Sequence, residues 1–229
     1  MTQTAPHRLT IDIFSDVMCP WCLIGYGQLT KALGELEGEI EAQLRWRPFE
    51  LNPDMPPQGE AQDAHLAKKY RRSDEERAAI HAQMTSIADS AGVSLSYQGE
   101  GEAPPAMMWN TRAAHKLLAF ALDEAGPQVQ TALKLALFRA HFNQRRNVSD
   151  QEVLLDIAAE VGLHRAAAKA ALADPGLDAR VAAEEREAWD MNISGVPAMV
   201  VNGKFLVPGA QSPETYVNVL RRVAEKSAA

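Results

Sequence analysis

The chain has two cysteines, and they stand two residues apart in Cys19-Pro20-Trp21-Cys22. Paired thiols at that spacing suit thiol–disulfide exchange, in which one thiolate attacks a disulfide and its neighbour resolves the mixed disulfide that forms. The flanking sequence gives the pair a defined place. Leu9-Thr10-Ile11-Asp12-Ile13-Phe14 reads as a buried strand, and from Trp21 onward Leu23, Ile24, Gln28, Leu29, Leu33 and Leu36 recur at helical spacing. Cys19 therefore falls at the helix start, where Pro20 fits the first helical position. The unpaired N–H groups and positive dipole end of that helix would face the Cys19 sulfur. The expectation is an exposed attacking thiolate at Cys19, with its pKa below the ordinary value of about 8.5. Cys22, one turn further in, is expected to be sheltered and to act as the resolving thiol.

Two structural uses of the pair fit less well. A disulfide across two intervening residues closes a small loop and removes little unfolded-state entropy. A zinc site needs two more ligands, and the six histidines (His7, His65, His81, His115, His141, His164) show no zinc-finger spacing. No metal is expected.

The elements that must hold the pair emerge from the rest of the chain. Glu41 to Phe49 alternates in a second strand ending near Pro48, so the N-terminal segment reads as a right-handed β-α-β unit. Asn52-Pro53-Asp54-Met55-Pro56-Pro57 breaks the pattern. From about Asp63 to Ala173 helical signals dominate. Ser73 with Glu76 forms a capping box before Ile80, Met84 and Ile87, and Gly92 stops that helix. Residues 93–105 form a loop. Asn110 caps a helix that stops at Gly126-Pro127, Val129 to Phe142 continues, and Ser149 with Glu152 caps another. After Asp174-Pro175-Gly176 a helix runs from about Leu177 to Met191. Asn202-Gly203 between two short apolar runs predicts a hairpin, and Ser212-Pro213-Glu214 starts the last helix. The predicted organisation is residues 1–52, a helical insertion over 53–176, and residues 177–229.

Composition narrows the function class. At 229 residues and 46% hydrophobic content the chain can bury a substantial core, and its net charge of −7 argues against a general nucleic-acid binder. The basic clusters Lys68 to Arg72 and Arg139 to Arg146 read as solvated helix faces. Met1 to Arg8 has no signal-peptide core, and no stretch is long enough to span a bilayer. The expected compartment is the cytoplasm, without membrane attachment. There thiols are held reduced, so a cysteine pair is expected to be catalytic.

The order of elements, the Cys-x-x-Cys at the first helix and the Val196-Pro197 before the hairpin resemble the DsbA family: an α/β, thioredoxin-like fold with an inserted all-helical subdomain. The nearest resemblance is to its cytoplasmic FrnE-like branch. It is carried by Ser15 to Cys22, Asn110 to Leu117, Leu137 to Ala140 and Gly195 to Glu214, spread over nearly the whole chain. The resemblance implies that Cys19 is the nucleophile, Cys22 the resolving thiol and Pro197 a cis-proline facing the sulfurs. It also implies that the Val196 backbone pairs with an extended substrate beside Cys19. Pro20 and Trp21 line the substrate side, and Trp21 stands at the dipeptide position that tunes the redox potential. Asp12 is the candidate for the family's buried proton-relay acid. His115 is expected in the core of the insertion.

The expectation is a dithiol–disulfide oxidoreductase acting on protein, peptide or small-thiol substrates without metal or organic cofactor, recycled by glutathione or thioredoxin. Two alternatives come from other classes. A glutathione-dependent isomerase or kappa-class transferase would carry a serine where this chain has Cys19. A chaperone or accessory protein would use an apolar groove lined by Met84, Met107, Met108 and Trp109.

Overall fold

A computed structural model describes residues 5–71 and 73–228. Met1 to Thr4, within the N-terminal lead, and Arg72, within the first basic cluster, lie outside them. Strand β1 (His7–Ser15) runs through the middle of a four-stranded sheet of order β2-β1-β5-β6. It pairs in parallel with β2 (Ile40–Pro48) on one side and antiparallel with β5 (Ala198–Val201) on the other; β6 (Phe205–Pro208) closes the hairpin. The hairpin turn falls at Asn202-Gly203 as predicted, both residues having positive φ (52° and 65°).

The alternation of β1 divides the core. Leu9, Ile11 and Ile13 join Met199, Val201 and Val207 on the face covered by α1 (Pro20–Glu35) and α8 (Pro213–Ala228), which supply Leu23, Ile24, Leu29, Tyr216 and Leu220. On the other face Phe14, Ala198 and Val200 meet Phe49, Ile193 and Ala188, the last from α7 (Pro175–Asp190). This is a thioredoxin-like fold with a helical insertion, as the sequence predicts.

The insertion has its own core. Helices α2 (Gln62–Tyr70) and α3 (Asp74–Ala91) come first; α3 carries the Ser73–Glu76 capping box, ends on Gly92 in the left-handed conformation and packs Ala88 and Ala91 into the core of the sheet. Helix α4 (Arg112–Phe138) is bent at Gly126 (φ 82°, ψ −178°) and Pro127, the stop expected there, and passes into a π-helical turn at Arg139–Asn143. Both halves of α4 pack against α5 (Gln151–Glu160) and α6 (Arg165–Ala173) through Leu117, Leu118, Leu133, Leu137, Leu154 and Ile157. The α4 cap sits one residue from its predicted place: Thr111 precedes the helix while Asn110 Oδ1 accepts the Arg112 N–H at 3.0 Å. Likewise Asp150, not Ser149, caps α5.

Met107–Met108, read as candidates for an apolar groove, instead form β4, which pairs with β3 (Glu60–Ala61); Met108 is buried in the insertion core. Two residues are too few to show strand alternation. Among the described residues, no helix is long and apolar enough to cross a membrane.

Candidate active site

The Cys19–Cys22 loop lies where the two cores meet. Val17 and Met18 belong to the core of the insertion, while Cys19 and Cys22 belong to that of the sheet and α1. Cys19 is the N-cap of α1 and Pro20 its first residue. The Cys19 N–H donates to the Asp16 carbonyl at 3.2 Å, and the Cys22 N–H to the Cys19 carbonyl at 3.1 Å. Both sulfurs are free thiols. Cys22 is fully buried, and Cys19, expected to be exposed, keeps only 4% of its surface; Trp21, at 38%, is the open part of the motif.

The bond between Val196 and Pro197 is cis. Cys19 Sγ–H donates to the Val196 carbonyl at 3.6 Å, which joins the motif to a loop 177 positions away. Helix α1 can approach that loop because residue 25 is glycine: a Cβ there would sit 3.1 Å from Pro197 Cγ. The Pro197 carbonyl accepts the Gly209 N–H at 2.8 Å, tying the loop to the end of β6.

The thiols titrate as a pair. Interaction with the Cys22 sulfur, burial and the Cys22 charge push Cys19 well above the ordinary thiol range. Burial also opposes ionisation of Cys22, but the Cys19 thiol, the Lys134 ammonium and the Ser15 hydroxyl outweigh it and bring Cys22 below that range. One proton thus leaves readily and the second is held tightly. The first charge belongs to the pair as a whole, and the partner sulfur and the buried Lys134 cation act on it together with the helix terminus.

Asp12 is a second correction. Its carboxylate takes both Arg45 Nε (2.9 Å) and Nη2 (2.7 Å) across the β1–β2 register, so it faces a strand neighbour and not the sulfurs. The acid beside the motif is Asp16. It is buried, burial raises its pKa, and its two oxygens accept the N–H groups of Met18 (3.2 Å) and Leu51 (2.8 Å). His115 Nε2 lies 4.0 Å from Asp16 Oδ1, beyond hydrogen-bond reach. Burial, with Lys134 and Arg112 nearby, keeps His115 neutral, and the residue is buried as predicted.

Sequence reasoning missed Lys134. It sits on α4 within a run of apolar residues, is wholly buried, and places Nζ 3.4 Å from the Ser15 carbonyl. The Trp46 and Phe138 rings lie 5.3 and 4.9 Å from it. Burial lowers its pKa to about 8, against the raising effect of Cys22, Asp16 and Cys19. A charged residue on an otherwise apolar helical face is the signal that would have found it.

Next to Asp16, Glu50 and Glu185 share the Arg112 guanidinium (3.3 and 2.7 Å), which also holds Asp178. Burial and the Glu185 charge raise Glu50 to about 7. Among the described residues, no three His, Cys, Asp or Glu side chains group as a metal site.

A family described as a DSBA-like thioredoxin domain matches residues 10–221. The chain is 26% identical to the uncharacterized protein YwbO of Bacillus subtilis (strain 168) over 208 residues, 90% of this chain and 92% of that protein. Its fold is similar to the probable DsbA oxidoreductase SCO1869 from Streptomyces coelicolor, with a TM-score of 0.81 and 29% identity over 93% of this chain and 89% of that one. It also resembles the cytosolic disulfide reductase DsbM from Pseudomonas aeruginosa, solved with GSH, with a TM-score of 0.57 and 21% identity over 94% and 99% of the two chains.

Proposed function

The chain belongs to the DSBA-like thioredoxin domain family, and from that premise we propose that it is a cytoplasmic dithiol–disulfide oxidoreductase working through Cys19 and Cys22. The observation that carries this reading is a pair of buried, reduced thiols of which one, Cys19, contacts the carbonyl preceding cis-Pro197.

In the reducing direction, the Cys19 thiolate attacks one sulfur of a substrate disulfide. A Cys19–substrate disulfide forms, and the other substrate sulfur leaves as a thiolate that takes a proton. Cys22 then attacks the Cys19 sulfur, closing the Cys19–Cys22 disulfide and releasing the second substrate thiol. Two electrons and two protons pass from the dithiol to the substrate, and the reverse sequence oxidises a substrate dithiol. The chemistry runs between sulfurs and uses no metal or organic cofactor. Two glutathione molecules, or one external dithiol, return the enzyme to its reduced form.

One proton leaves the coupled pair, and transfer of the remaining proton to Cys22 makes Cys19 the attacking thiolate. That transfer also ends the Cys19 contact with the Val196 carbonyl. The carbonyl is then open to a backbone N–H of an extended substrate. Trp21 and Pro20 face that substrate. The glutathione in the DsbM structure supports glutathione as the recycling thiol, and the cytosolic setting of DsbM supports the same compartment here.

The test is glutathione-driven reduction of a disulfide-containing peptide. Cys19→Ser abolishes turnover, while Cys22→Ser stalls as a mixed disulfide at Cys19. Full turnover by Cys19→Ser overturns the proposal.

A further inference from the structure

Lys134 poses a physical problem that the reaction scheme leaves open. A lysine ammonium carries three donors, and burying it without a partner costs several kcal/mol. Among the described residues its one hydrogen-bond acceptor is the Ser15 carbonyl at 3.4 Å, a long contact, and the other close groups are two aromatic rings. Four ionisable groups face it. His115 is neutral and offers no negative charge. Asp16 already spends both carboxylate oxygens on backbone N–H groups. Cys19 and Cys22 remain. They pack in the same buried cluster as Trp46 and Phe138, the two rings that flank Nζ, and the Ser15 carbonyl that accepts from Nζ opens the turn leading to Cys19.

We infer that Lys134, supplied by the helical insertion, is the charge-compensating residue of the redox pair: its buried ammonium holds the thiolate that appears when the reduced pair ionises, and so biases the equilibrium between dithiol and disulfide. The inference rests on the redox reading of Cys19 and Cys22. It gives the insertion a part in setting the potential, besides any part in covering the substrate. Lys134 acts through the sulfurs and touches no substrate, so it is a positioning residue. Oxidation removes the thiolate and strands the ammonium; ionisation of the dithiol partners it. The lysine therefore favours the reduced form.

Lys134→Met keeps the length and burial of the side chain and removes its charge. The ultraviolet thiolate absorbance of the reduced variant should titrate about 1–3 units higher than in the parent protein. In glutathione buffers the ratio of disulfide to dithiol should rise about tenfold, a potential about 30 mV more reducing. A folded Lys134→Met protein with both quantities unchanged overturns the inference.

If that variant does not fold, the parent protein supplies the test. In carbon-13 spectra of labelled lysines, Lys134 should titrate at lower pH in the disulfide form than in the dithiol form. Identical titration in the two forms overturns the inference. A pair that forms no disulfide in any glutathione buffer would instead remove the redox reading, and the thiolate titration of Lys134→Met would still test the charge compensation.

Discussion

The sulfur pair lies between two unlike walls. On one side stand the start of α1, Gly25, the Val196 carbonyl and the cis-Pro197 ring, held by backbone hydrogen bonds and close packing. On the other stand Asp16, His115 and Lys134, three buried ionisable groups, two of them from α4 of the insertion. In the proposed reaction the first wall fixes where a substrate strand meets Cys19, and it does so with neutral groups whose state does not depend on pH. The second, in the same proposal, touches no substrate but sets how easily the sulfurs carry charge. Geometry and electrostatics are thus assigned to different parts of the chain, and each can be changed while the other stays.

The sharpest way to disturb the neutral wall is Gly25→Ala. The added methyl pushes on the Pro197 ring, which must yield by a few tenths of an ångström. Alanine gains about 1 kcal/mol of helix propensity, and overpacking costs about as much. Stability by chemical denaturation should change by less than about 1 kcal/mol, while turnover falls about threefold to tenfold because the Val196–Pro197 edge is displaced from Cys19. The thiolate titration should not move. A shift in it would show that the two walls are not separable.

The charged side has its own signature in pH. Glu50 is raised from the usual 4.5 to about 7, so the fold favours its protonated form. The stability this contributes is complete below pH 4.5 and is lost as pH rises through about 7. Glu50→Gln mimics the protonated carboxyl, and its denaturation midpoint should fall less between pH 5 and about 8 than that of the parent protein. An unchanged slope would show that Glu50 titrates normally.

The smallest effect belongs to Asp12. Its ion pair with Arg45 is partly open to solvent, so Asp12→Asn should cost less than about 1 kcal/mol and leave both thiolate titration and turnover as they were. A raised thiolate pKa in that variant would restore Asp12 as a proton relay.

The same contrast explains what the sequence made legible. The strand–Cys-x-x-Cys–helix unit, the Asn202-Gly203 hairpin, the capping box at Ser73 and the break at Gly126-Pro127 are local patterns, and each appears where its spacing predicts. The charged side has no local pattern. Ser15 and Lys134 meet across 119 positions, and the lysine stands among residues that read as an ordinary apolar helix face. Asp12 and Asp16 both flank the motif in sequence. Which of them approaches the sulfurs depends on the turn from Asp16 to Cys19 and on Arg45 facing Asp12 across the sheet. The coupling of the two ionisations was hidden for the same reason, since it follows from the partner sulfur and Lys134 more than from the helix end.

The most direct test of the account is the redox equilibrium of Cys19 and Cys22 in glutathione buffers, read by thiol-specific mass labelling. The account predicts one two-electron transition between a dithiol and an intramolecular disulfide, second order in reduced glutathione. A pair that stays reduced at every ratio, or stops as a stable glutathione adduct on Cys19, would contradict it.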